Sequence, residues 1–556
     1  MSLLTSRPAS PAETPPAALP TTARGRRRWL YALVVVALLA EMAIAMITTA
    51  VEQSPTIDEP VYAGTAVVYL QQHSLRYNPE HPPLGKLVIA TGLAFAGVHL
   101  DPAFGGDQTQ LGRHVLYESG QDAGRLLLLL LARLPVIVLT LLFGLVVFAF
   151  ARDLTGPAGG LVALALYAFS PDVIAHGSLA TLDVPVAGFL VTTAWLLWRA
   201  RRRPAVYAPL AGLALGAAVA TKMSALAAVP VLLLLVVLSV RRAYGPHWTN
   251  WLRGVAAAVS VALLAVAVVW ASYLVVDPQL RWVTPPGVPP FRGLRALAAW
   301  LPFPEPYLAG MRIQFGLEDQ VWTTFLFGTQ HVGSLWYYLP AALLVKTPLG
   351  ALALWAAGAA LLPALPHLRP AAAYVLLPTA VLLAAAMTGS RDLGVRYAVF
   401  APMFLAIAAA GVIELRRRWA TVVVAGLVLC TAASSLRTYP YYLPYANEAF
   451  GGPTATHLHL HDSNVDWGQD LSRLAARLRQ EHPGERVWLV YKGSGVPSYY
   501  GIKAADPLAV PPAEVHGLLA VSDSAVAKAD ARLAALIGTS TPIDEVGHAI
   551  TLYRRP

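Results

Sequence analysis

Apolar runs close to the length that crosses a bilayer alternate with short basic or turn-forming segments through most of the chain. At roughly 20 residues per crossing, the pattern predicts about eleven spans, near 29–50, 126–150, 159–177, 182–199, 205–221, 223–240, 254–276, 337–361, 370–388, 396–414 and 419–436. The first run, WLYALVVVALLAEMAIAMITTA, follows basic residues as a signal peptide would. It is too long for a cleaved hydrophobic region and reads as a retained anchor. Residues 1–28, rich in Pro, Ala and Thr and without apolar periodicity, predict a disordered cytoplasmic tail.

Arginine clusters at 24–28, 199–203, 241–242 and 416–418 all fall on one side of this count. By the positive-inside rule that side is the cytoplasm. The outer face then receives two long loops, 51–125 and 277–336, and a C-terminal segment, 437–556. Within that segment RVWLVYKG, HGLLAVS and HAITLYR predict strands, and DLSRLAARLRQ and AVAKADARLAALIG predict amphipathic helices. The expected fold is therefore a polytopic α-helical membrane domain, 29–436, followed by a small extracytoplasmic α/β domain.

Composition agrees with this reading. Of 556 residues 56% are hydrophobic and 13% charged, and the mean hydropathy is +0.55, far from a soluble domain. The formal charge of +10 is accounted for by the arginines that set topology, which removes the case for a nucleic-acid partner. The single cysteine, Cys430, lies in an apolar run, excludes an intramolecular disulfide and is expected to be buried.

Ionisable groups near a membrane interior are costly, so each is a functional candidate until a partner accounts for it. Asp58 and Glu59 lie just beyond the first span, and the same loop carries LRYNPEHPPLGK with His81 and Lys86. Arg133 falls in the outer part of the second span. HGSLATLDVPV forms the next outer tip, with His176 and Asp183, and TKMS places Lys222 at the one after. Lys346 lies within the eighth span, and SRDLGVRY brings Arg391, Asp392 and Arg396 to the outer end of the tenth. Carboxylates and cations converge on one face, as an anionic lipid-phosphate substrate approached from that face requires.

Structural roles compete with these assignments. Thr56 to Glu59 fits a T-x-x-E capping box, which would occupy Glu59 but not Asp58, since helical neighbours point about 100° apart. The prolines of NPEHPPLGK could form a rigid turn, which would also position His81 and Lys86. Asp183 could cap the fourth span. Arg133 and Lys346 are harder to dismiss, because an unpaired cation inside a span costs ~2.5–3.5 kcal/mol. HLHLHD, 457–462, would put three histidines on one face of a strand, a metal-like arrangement without a clear fourth ligand. The alternative, which we adopt, is an exposed strand leading into a turn where Ser463, Asn464 or Asp466 caps a helix from about Trp467.

Several motifs together resemble a known family. IDEPVY after the first span, NPEHPPLGK in the first outer loop, TLDVP after the third span, TK at Lys222, KTP at 346–348 and GVRYAVFAPMF are similar to membrane glycosyltransferases of the protein O-mannosyltransferase and aminoarabinose-transferase type. YYLPYANEAFGG, SNVDWGQDL and GVPSYYGI resemble the C-terminal domain of many bacterial members. The resemblance implies a GT-C fold and a polyprenyl-phosphate sugar donor, and it assigns the first-loop aspartate, Asp58, as catalytic base.

In an inverting transfer one carboxylate removes the acceptor proton while the carrier phosphate departs from the opposite face. The leaving group is already anionic, so Lys86, Lys222, Lys346 and Arg396 can receive it without a proton donor. His81 and Asp183 are candidates to orient sugar or acceptor. Glu59, Arg133 and Arg391 complete the candidate substrate-binding set. This chemistry requires no cofactor and no metal is assigned, although some GT-C enzymes use a divalent cation. A transporter or flippase of lipid-linked sugars would need similar cations and a lipid-accessible cavity, but no base.

Overall fold

The computed structural model describes residues 21–118, 125–245 and 247–556. Residues 1–20, most of the expected tail, lie outside the described residues. The remainder of that tail is already helical. Helix α1 (Thr21–Glu52) runs through RGRRR into the first apolar run, since arginine is a good helix former and no proline interrupts the stretch.

The first outer loop folds into α2 (Glu59–Gln72), α3 (Pro83–Leu93) and α4 (Gln108–Arg113). Two of the predicted spans then share one helical rod, α5 (Arg125–Ala168), interrupted at Gly156, whose φ of 79° and following Pro157 break the helix between them. The predicted second half of that pair stops at Ala168, and α6 (Pro171–Gly177) is a separate short helix. Next come α7 (Asp183–Ala200), α8 (Pro204–Thr221), a 3₁₀ turn at Met223–Ala228, α9 (Val229–Tyr244) and α10 (Thr249–Val276).

The second outer loop contains α11 (Glu305–Glu318) and an antiparallel hairpin, β1 (Thr323–Leu326) and β2 (Thr329–Val332). The span expected at 337–361 breaks at Thr347–Pro348 into α12 (Tyr338–Lys346) and α13 (Leu349–Ala364). Helices α14 (Arg369–Met387), α15 (Phe400–Ala409) and α16 (Arg418–Thr438) complete the bundle. Among the described residues, seven helical stretches are long and apolar enough to cross a membrane, and the shorter apolar helices Leu349–Ala364 and Phe400–Leu415 fall on two more predicted spans.

Apolar side chains remain exposed around the outside of the bundle, among them Leu33, Val36, Val259, Leu263, Val422 and Leu429. In a membrane these face hydrocarbon, so burying them within the protein would gain little. Cys430, expected in the interior, is exposed on α16 among these apolar neighbours. At one end of the bundle Arg199 pairs with Asp153 at 2.7 Å, and Gly159 packs against Ala410, which brings the 416–418 cluster to the end that holds 199–203. The candidate site lies at the opposite end.

The C-terminal domain has a five-stranded sheet of β3 (Val487–Val490), β4 (Ala504–Ala505), β5 (Gly517–Ser522), β6 (Thr541–Val546) and β7 (Ile550–Arg555), in the order β4-β3-β5-β7-β6. Strand β3 is parallel to its two neighbours, and β5, β7 and β6 pair antiparallel. Alternation on β5 sends Leu518 and Ala520 to one core with Leu471, Leu474 and Leu478, and Leu519 and Val521 to another with Leu533 and Leu536. The first amphipathic helix is observed at Leu471–Glu481, four residues later than Trp467. The second divides into Asp523–Ala527 and Ala531–Gly538, because Asp530 caps the latter through the Leu533 amide at 2.8 Å. HLHLHD is not a strand: Thr456–His459 is a helical turn, and His461 is buried rather than exposed.

Candidate active site

The segment joining α1 to α2 is strapped to the connector of the C-terminal domain. The Ser54 amide donates to Gln469 O at 2.9 Å, the Ile57 amide to Trp467 O at 2.9 Å, and the Leu471 amide to Ser54 Oγ at 3.0 Å. Pro60 sits in the first turn of α2, where its missing N–H costs nothing. The two adjacent carboxylates part company there.

Glu59 turns inward. Its oxygens accept from Arg133 Nε at 2.7 Å and Nη2 at 2.6 Å, from the Thr56 amide at 2.9 Å and hydroxyl at 3.1 Å, and from the Ala180 amide at 2.8 Å. Burial alone would raise its pKa, but Arg133 and the amides hold the carboxyl below the usual value. Arg133 also donates to the carbonyls of Ala50, Gln53 and Ser54. Both side chains are fully buried, so the pair clamps α1, α2 and α5 together. The capping box anticipated at Thr56–Glu59 is not formed, because α2 starts at Glu59 with Asp58 as its N-cap and no side-chain cap; Glu59 instead accepts from the Thr56 amide and hydroxyl ahead of the helix.

Asp58 faces the other way. Its Oδ2 accepts from Arg396 Nη1 at 2.6 Å, with the aspartate side chain 28% exposed and the arginine 9%. The guanidinium lies 4.4 Å from the Trp467 ring centroid and 5.1 Å from that of Tyr397, so cation–π attraction on two sides fixes its plane. Beside it Asp183 accepts from Lys222 Nζ at 2.6 Å, and that ammonium is 5.4 Å from the Tyr397 ring centroid. Tyr397 therefore links two carboxylate–cation pairs. Gly394 sets this turn, since at φ 139° a Cβ would meet Ser463 Oγ at 2.1 Å. The Val395 amide then reaches Asn464 Oδ1 at 2.9 Å.

His81 is half-buried in the same neighbourhood, and its Nδ1, itself buried, has no hydrogen-bond partner. Its pKa is pushed well below the ordinary value, first by burial and then by Lys222, Lys86, Arg391 and Arg396. The cations picked out along the sequence thus act on one neutral imidazole. Tyr62, 5.8 Å from His81 between ring centroids, is held well above the usual phenol range by burial and by Asp58 and Asp183.

The other cations are committed to the chain itself. Lys86 donates to Asn78 O at 2.8 Å, Asn78 Oδ1 at 3.1 Å and His81 O at 2.7 Å, which ties off the proline-rich turn. Burial pushes its pKa down to about 7. Lys346 donates to Leu443 O at 2.5 Å and Asn464 O at 2.9 Å, and lies 3.6 Å from Asp172. Arg391 pairs with Glu318 of α11 at 2.5 Å, and Asp392 accepts from Thr324 and from the Leu335 amide. His176 is buried with both ring nitrogens unpartnered, its ring centroid 6.0 Å from that of Trp467. Of the residues picked out, Asp58, Arg396, Asp183 and Lys222 make the cluster that can meet a ligand, with His81 nearby. Trp467, Tyr397 and Tyr62 were missed, because a search for ionisable groups passes over the aromatic rings that hold them. A cavity of about 1180 Å³ opens between the two outer loops, lined by Arg76, Asn78, Gln108, Phe291, Arg312 and Gln320 among others.

Residues 34–278 match the family model described as dolichyl-phosphate-mannose-protein mannosyltransferase. The resemblance drawn from the motifs holds over that stretch, which carries Asp58, His81, Asp183 and Lys222; Arg396 lies beyond it. No curated protein matches the chain. Solved structures that the chain matches include ArnT from Cupriavidus metallidurans in the apo state, 15% identical over 96% of this chain and 98% of that one, with a TM-score of 0.49. The Saccharomyces cerevisiae Pmt1–Pmt2 complex bound to the sugar donor is 18% identical over 45% and 33%, with a TM-score of 0.35. The archaeal oligosaccharyltransferase AglB from Archaeoglobus fulgidus is 11% identical over 91% and 72%, with a TM-score of 0.44.

Proposed function

We propose that the chain is a membrane glycosyltransferase that moves a hexose or pentose from a polyprenyl-phosphate donor, with inversion, to a hydroxyl of an envelope glycan, lipid or protein on the extracytoplasmic face of the plasma membrane. The observation that carries this reading is the Asp58–Arg396 pair at 2.6 Å beside the Asp183–Lys222 pair. A base and two phosphate-binding cations stand within one cluster.

In the unliganded protein Arg396 neutralises Asp58. A donor phosphate competes for the guanidinium, whose planar fork suits phosphate oxygens, and Asp58 is released to accept a proton. The acceptor oxygen then bonds to the anomeric carbon, the bond from that carbon to the phosphate oxygen breaks, and the acceptor proton passes to Asp58. The carrier phosphate leaves with one more negative charge than it had in the donor. Arg396 and Lys222 stabilise that charge as it develops. Asp183 holds Lys222 in place. With the arginine-rich end in the cytoplasm, the site and the C-terminal domain face outward and the N terminus inward.

The test is transfer by the purified protein in lipid nanodiscs from a panel of radiolabelled polyprenyl-phosphate sugars, with envelope fractions as acceptor. A new glycosidic product with inverted anomeric configuration supports the proposal. Labelled donor that changes leaflet without any new product would favour a flippase and overturn it.

A further inference from the structure

A second cluster lies in the C-terminal domain, apart from the transfer site. The helical turn Thr456–His459 delivers His457 to the sheet, where Asp523 opens the helix after β5 and Glu545 stands near the end of β6. One ligand atom from each of the three lies within 4.8 Å of the others. His457 Nδ1, Asp523 Oδ2 and Glu545 Oε1 are all buried and have no hydrogen-bond partner. Asp523 itself is only 4% exposed.

The second oxygen of each carboxylate is already used. Asp523 Oδ1 accepts from Thr551 Oγ1 at 2.6 Å, and Glu545 Oε2 lies 3.3 Å from His548 Nδ1. Local cations are engaged elsewhere: Arg473 with Asp470 and Glu52, and Lys492 with Asp462. Asp466 and Asp470 are also buried close by; Asp470 is paired with Arg473, and burial pushes the Asp466 carboxyl up to about 7. Two carboxylates and an imidazole facing one another place like charges at short range, which a bound cation, or a proton on one of them, relieves.

We propose that His457, Asp523 and Glu545 bind a divalent transition-metal cation, with zinc the best fit to one imidazole and two carboxylates. Bonds of ~2.0–2.2 Å would draw the donor atoms to roughly 3.5 Å apart, which small side-chain rotations achieve, and water completes the tetrahedron. The metal joins the sheet to the connector that runs on through Asn464 and Trp467 into the transfer site. Its role is structural, and it stands independently of the glycosyl-transfer reading.

Full-length protein in detergent is dialysed against chelator, reloaded with Zn²⁺, desalted and measured for metal content and thermal unfolding. Stoichiometric zinc, a Tm that falls on chelation and recovers with Zn²⁺, and loss of both effects in Asp523→Asn and His457→Phe are expected. Co²⁺ titration of the wild-type protein should give visible d–d absorption, a readout that does not depend on the variants folding. Wild-type protein that retains no zinc, gives no Co²⁺ bands and melts identically with Zn²⁺ or chelator would overturn the site and leave a shared proton between the carboxylates.

Discussion

Asp58→Asn separates chemistry from architecture. Asparagine keeps the size of the side chain and an oxygen that can still accept from Arg396 Nη1, now 2.6 Å from Asp58. Arg396 also retains its two aromatic contacts, at 4.4 Å and 5.1 Å. With the aspartate side chain 28% exposed, the lost charge is partly screened, and the stability change should be about 1–2 kcal/mol, between the values for exposed and buried pairs. The chemical step loses its proton acceptor, which costs on the order of 10²–10⁴ in rate, or ~2.7–5.5 kcal/mol of barrier. The assay compares initial rates of labelled product at saturating donor with donor affinity and thermal unfolding on the same preparation. A turnover number within tenfold of wild type, with donor binding intact, would refute Asp58 as the base.

Glu59→Gln, one residue away, should behave in the opposite way. It leaves Arg133 buried without its counter-charge and should lower stability by ~3–5 kcal/mol, so a variant that unfolds with the wild-type protein would contradict the clamp. Arg396→Lys should raise the donor KM and slow turnover, because an ammonium loses both the planar stacking and the forked phosphate contact; wild-type kinetics in the variant would remove Arg396 from the phosphate site. His461 is held to about 3, first by burial, whereas the unfolded chain takes up its proton near 6.5. Stability of the C-terminal domain should therefore be full above pH 6.5 and fall by ~1.4 kcal/mol per unit toward pH 3, a slope that His461→Leu should reduce in denaturation curves collected across that range.

Local pattern alone carried the apolar runs, the basic end of the bundle, the placement of Asp58, His81, Asp183, Lys222 and Arg396 at the end opposite it, and three strands of the C-terminal sheet. Each depends on hydropathy and side-chain period within a few turns of chain, and neighbouring residues suffice to specify it. The same local reading failed where two patterns coincide. HLHLHD satisfies the period of a strand, yet its first residues form a helical turn that carries His457 to Asp523 and Glu545.

Which charges meet was decided by tertiary packing. Asp58 and Arg396 stand 338 positions apart, and Trp467 reaches them because the connector is hydrogen-bonded to the segment joining α1 to α2. Asp58 and Glu59 are indistinguishable as letters. The helix start at α2 turns one into a buried partner of Arg133 and leaves the other at the mouth of the site, since a buried charge persists only where the surrounding fold supplies its counter-charge.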